Sequence, residues 1–81
     1  MFYKIPLILT PQPEGGFTVT SPLIPELVTE GDTLDEAFNH ARDALAAVVE
    51  AYEDLGRQLP ANVVLADANS PVWVETVVAT P

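Results

Sequence analysis

The stretch Gly31-Asp-Thr-Leu-Asp-Glu-Ala-Phe-Asn-His-Ala-Arg-Asp-Ala-Leu-Ala-Ala-Val-Val-Glu-Ala-Tyr-Glu-Asp-Leu-Gly56 constrains this chain more than any other, because no other segment is long and periodic enough to make a full helix. Leu34, Ala37, Phe38, Ala41, Leu45, Val48, Tyr52 and Leu55 recur at helical steps, which places them on one stripe that must be buried against a second element. The two ends agree with the interior. Thr33 followed by Glu36 fits a capping box, and Asp32, Asp35 and Glu36 put negative charge at the positive end of the helix dipole. Gly56 supplies a left-handed terminator, and Pro60 blocks a restart. A helix over about 33–56 is therefore predicted.

Opposite the apolar stripe, Glu36, Asp43 and Glu50 follow one another at heptad steps with Asp54 close behind, forming an acidic ridge. Such a ridge is either an ordinary solvated face or a docking surface for a basic partner. Glu53 and Arg57 are the one favourably ordered pair four apart, whereas Glu50 and Asp54 repel at the same spacing. The ridge is thus not laced by its own ion pairs, and uncompensated charge favours docking.

Charge narrows the classes further. The net charge is −9, with Lys4, Arg42 and Arg57 as the only cations, too few to build a phosphate-neutralising stripe. Direct nucleic-acid binding is not expected on that ground. A chain of 81 residues is expected to form one domain, 1–81, and it has no cysteine to staple a limited core, so self-association into a homo-oligomer is expected. No run approaches the roughly 18 apolar residues of a membrane span. Met-Phe-Tyr-Lys-Ile-Pro has no signal-peptide pattern, which makes a cytoplasmic location the default.

The remaining chain reads as strands. Residues 2–10 alternate, with Tyr3, Ile5, Leu7 and Leu9 on a core face and Phe2, Lys4, Pro6 and Ile8 on the other, although Pro6 cannot donate to a ladder. Pro11-Gln-Pro-Glu-Gly-Gly16 is a turn into a second strand at 16–21, and the proline-bracketed Ser21-Pro-Leu-Ile-Pro25 leads to a third at 26–31. Val63-Val64-Leu65 suits either a short strand or one helical turn, and 71–78 is dense in β-branched residues and reads as a fourth strand. The expected fold is α+β in two layers: a three-stranded antiparallel meander, one long crossover helix and a fourth strand, in the order β-β-β-α-β. The sheet face away from the helix stays open, with Phe2, Ile8 and Trp73 as candidate oligomer or docking residues.

Taken in order, Glu14-Gly15-Gly16-Phe17, Ser21-Pro22-Leu23-Ile24-Pro25, Thr29-Glu30-Gly31-Asp32-Thr33-Leu34-Asp35-Glu36-Ala37, the long helix and Gln58-Leu59-Pro60 resemble the HicB antitoxin family over nearly the whole chain. The resemblance implies a partial ribonuclease-H-like fold that binds and blocks HicA, a small basic ribonuclease toxin. Many relatives add a DNA-binding domain. This chain is expected to lack that tail, and it carries Pro25-Glu26-Leu27 where the family often has a proline, a glycine and a small or sulfur-containing residue.

An enzymatic reading fares poorly. Two-metal nuclease chemistry of the ribonuclease-H type needs a carboxylate from the first strand, and residues 2–10 contain no Asp or Glu. His40 has no Ser or Cys nucleophile placed for it and reads as a surface residue, Gly15-Gly16 reads as a turn rather than a phosphate loop, and Tyr52 and Trp73 read as core or interface aromatics. No catalytic residue, metal site or cofactor is expected. Two functions stay open: a module that occludes a HicA-like toxin, and a solitary oligomeric domain with no toxin partner.

Overall fold

The computed structural model describes residues 2–60, 63–65, 69, 71–72, 75–76 and 78–80. The chain runs β1 (Phe2–Tyr3), β2 (Ile8–Pro11), β3 (Phe17–Thr20), β4 (Val28–Gly31), α1 (Leu34–Asp54) and β5 (Val64–Leu65), an α+β arrangement. Strands β2, β3 and β4 form an antiparallel sheet in sequence order, with Leu9, Val19 and Thr29 in register. The expected meander is therefore present.

Its turns follow from local chemistry. Between β2 and β3, Gly15 and Gly16 take φ of 101° and 78°, and Gln12 exchanges backbone hydrogen bonds with Gly15 and Gly16 at 3.0 Å. In the link to β4, the Leu23 amide donates to Ser21 Oγ at 3.2 Å and the Leu27 amide closes a turn on the Ile24 carbonyl at 3.0 Å. Pro25 presets this turn, and Glu26 has no positive φ, so the position needs no glycine. The turn also shortens the third strand, which begins at Val28 rather than at 26.

Two expectations about the sheet need correction. The strand expected over 2–10 is divided: β1 pairs with β5 (Phe2 opposite Leu65, Tyr3 opposite Val64), while β2 pairs with β3. Pro6 lies in the gap, where it has no N–H to offer a ladder. The island at 63–65 divides between both readings: Val63 closes a turn on the Pro60 carbonyl at 3.1 Å, and Val64–Leu65 form β5, the last strand among the described residues. Pro71, Val72, Glu75, Thr76 and Val78 lie in no strand, and Trp73, Val74 and Val77 fall outside the described residues. Among the described residues β5 joins β1 and not the meander, so α1 makes no crossover within one sheet there.

Helix α1 lies over β4 and β3. Gly31 makes that approach possible, because a Cβ there would stand 2.4 Å from the Ala37 amide nitrogen and 2.6 Å from its Cα. Val19, Ile24, Leu27, Ala37 and Ala41 form the buried core, and Ile5, Leu9, Phe17, Leu45 and Val48 pack around it. The apolar stripe is only partly covered: Leu34, Phe38 and Leu55 are 47 %, 37 % and 71 % exposed. A helix of 21 residues spans about 31 Å, whereas three four-residue strands cover roughly 14 Å, so the ends overhang.

Candidate partner-binding surfaces

Capping fixes where the acidic ridge starts and stops. The Glu36 amide donates to Thr33 Oγ1 at 3.1 Å, one half of the expected capping box. At the far end Gly56, at φ 67°, closes a Schellman motif in which the Arg57 amide donates to the Tyr52 carbonyl at 2.9 Å and the Gly56 amide to the Glu53 carbonyl at 3.1 Å. Between these caps Asp43, Glu50 and Asp54 are exposed and Glu36 is half-buried. Helical geometry puts the four within roughly 40° of arc along about 27 Å. Among the described residues none of the four forms an ion pair.

The left-handed Gly56 also overturns one expectation. It turns the chain off the helix axis, so Arg57 does not pair with Glu53. Its guanidinium lies over the Tyr52 ring, 4.6 Å from the centroid, and 3.7 Å from Glu26. The Tyr52 hydroxyl donates to both Glu26 carboxylate oxygens at 2.8 and 2.9 Å. This bond holds the Glu26 carboxyl below its usual value and raises the Tyr52 phenol. Tyr3 forms a second such tie, donating to Glu53 at 3.2 Å; burial first, then that bond and the Glu53 charge, raise its phenol. The sequence places Tyr52 on the core stripe but carries no signal for either partner, since Glu26 and Glu53 meet the tyrosines only through tertiary packing.

His40 is exposed, as the sequence suggests, yet its Nδ1–H donates to the Glu30 carbonyl at 2.6 Å, which ties the helix flank to β4. Among the described residues no group of three His, Asp or Glu side chains could hold a metal ion, and no helix is long and apolar enough to cross a membrane.

The outer face of the sheet follows from register. With Val19 turned to the helix, Ile8, Thr20 and Val28 form a row on the opposite side, and Ile8 and Val28 are 50 % and 70 % exposed. Phe2 is exposed on β1 and Trp73 lies outside the described residues, so the three proposed docking aromatics and aliphatics are not seen together. Val28 was legible in the Val28/Glu30 versus Thr29/Gly31 alternation.

Against known proteins, residues 5–80 match the profile of the HicB-like antitoxins of bacterial toxin–antitoxin systems. The chain belongs to this family. It is 40 % identical over 57 residues to antitoxin HicB of Escherichia coli K12, covering 70 % of this chain and 41 % of that protein. To antitoxin HicB 1 of Photorhabdus laumondii it is 42 % identical over 57 residues, covering 70 % and 37 %. The chain thus spans about two-fifths of the length of these curated relatives.

Proposed function

We propose that this HicB-like chain is the toxin-binding module of a toxin–antitoxin pair, docking its acidic ridge on a small basic ribonuclease of the HicA type and excluding RNA from it. The observation that supports this reading most is the ridge: Asp43, Glu50 and Asp54 stand exposed without compensating cations in a chain of net charge −9. Opposite fields steer such partners together and set the on-rate more than the final affinity. Neutralisation proceeds by occlusion, with no chemistry, metal or cofactor of the chain's own, no direct contact with nucleic acid, and in the cytoplasm. On this reading residues 1–81 act as one unit of the partial ribonuclease-H-like plan, and copies associate through exposed apolar residues such as Phe2 and Ile8.

Affinity purification of the tagged chain from its host, at low and at moderate salt, tests the proposal. Recovery of a small basic protein whose release follows ionic strength supports it, as does slower association of Asp43→Lys and Glu50→Lys variants. Recovery of self-associated chain alone, unchanged across salt, overturns it and favours the solitary oligomeric domain.

A further inference from the structure

A second surface has the opposite electrostatic character. Ile5, Leu7, Phe38 and Leu45 line an open groove of about 630 Å³ between the segment 4–7 and α1, Val72 of the C-terminal segment lines it as well, and so do Lys4 and Arg42, two of the chain's three cations. Both are exposed, and among the described residues neither forms an ion pair; Arg42 donates to Asn39 Oδ1 at 3.1 Å. Two cations without an ion pair suit an acidic group better than a basic one here.

The backbone beside the groove is also unused. Residues 4–7 keep the strand-like alternation of exposed and half-buried side chains while belonging to neither sheet. Lys4 donates its amide to the Val63 carbonyl at 2.6 Å, toward the β5 side. In an extended chain Pro6 faces that same side, where its missing N–H matters, and Ile5 and Leu7 turn their N–H and C=O groups to the opposite edge. Among the described residues the backbone of Ile5 and Leu7 makes no hydrogen bond. We propose that an acidic, apolar-rich peptide segment docks in this groove as an added strand along Ile5–Leu7, its alternate side chains on the apolar lining and its carboxylates on Lys4 and Arg42. Strand addition takes affinity from main-chain hydrogen bonds and selectivity from alternate side chains. Ridge and groove then serve partners of opposite charge, and the inference does not depend on the antitoxin reading.

Fluorescence anisotropy of a labelled decapeptide alternating valine and glutamate, titrated with the full chain, tests this. A valine–lysine decapeptide controls for charge, and the glutamate peptide N-methylated at alternate amides controls for strand addition. The glutamate peptide is expected to bind, to weaken about fivefold with the double variant Lys4→Gln/Arg42→Gln, and to weaken between about 0.05 and 0.5 M salt. The single variant Lys4→Gln carries the same test if the double variant fails to fold. Asp43→Lys leaves this binding intact or strengthens it. Equal binding of the lysine or the N-methylated peptide, or no binding of the glutamate peptide, overturns the proposal.

Discussion

Replacing Gly31 by alanine tests the closest approach in the fold. The added Cβ would meet three backbone atoms, the Ala37 nitrogen at 2.4 Å, its Cα at 2.6 Å and the Glu36 carbonyl carbon at 2.8 Å. None can swing aside as a side chain would, so the first turn of α1 must retreat by about 1 Å to regain ordinary contact, opening the packing of Ala37 in the cluster it shares with Val19 and Leu27. Overpacking of this kind costs about 3 kcal/mol. Alanine restricts the unfolded chain and returns about 1 kcal/mol, for a net loss near 2 kcal/mol. A domain of this size has a total stability of roughly 4–12 kcal/mol, and each kcal/mol moves Tm by about 4–8 °C, so a fall of roughly 8–16 °C is expected by circular dichroism. Gly56→Ala is the comparison: its φ of 67° strains an alanine, but nothing lies within 4 Å, and a loss of about 1 kcal/mol is expected. A Gly31→Ala protein melting within about 2 °C of the parent, or less affected than Gly56→Ala, would refute the close-approach argument.

Tyr52→Phe should flatten the pH dependence of stability. Glu26's carboxyl is lowered from 4.5, so its contribution is present above that value and fades as pH falls through the lowered one; Tyr52 is raised from 10.0, so its contribution is present below 10.0 and fades as pH rises through the raised value. Urea midpoints of parent and variant should differ most between these limits and converge at both ends; a constant difference would assign the loss to packing alone. Thr33→Ala removes the hydroxyl that accepts from Glu36 and should cost about 1 kcal/mol in urea melts, with faster amide exchange confined to the first turn of α1. Association with a basic toxin should slow with salt and with charge reversal at Asp43 and Glu50, whereas reversal at Arg57, which is engaged with Glu26 and Tyr52, should act on stability instead.

Sequence by itself determined the helix and the meander. Caps, apolar spacing and terminating glycine are local signals, and Thr33 and Gly56 stand where those signals put them, whereas Leu55, read as part of the buried stripe, caps the helix and is exposed. Alternation in residues 2–10 likewise assigned each side chain to its exposed or half-buried side, and the ordered motifs from Glu14 to Pro60 carried the family. Tertiary structure decided which edges those strands use. Alternation specifies faces but not neighbours, so nothing in residues 2–10 tells that Tyr3 pairs with Val64 while Leu9 pairs with Val19, with Pro6 between them. Pairings across long sequence separation were equally hidden: Tyr52 with Glu26, Tyr3 with Glu53 and Arg57 with Glu26 depend on where the link and the helix end come to rest. The cation-lined groove exists only because Lys4 and Arg42, far apart in the chain, flank one apolar gap that the short sheet leaves beside a longer helix. Local chemistry writes elements and their faces; the competition for burial among them, settled only in three dimensions, decides which faces remain open.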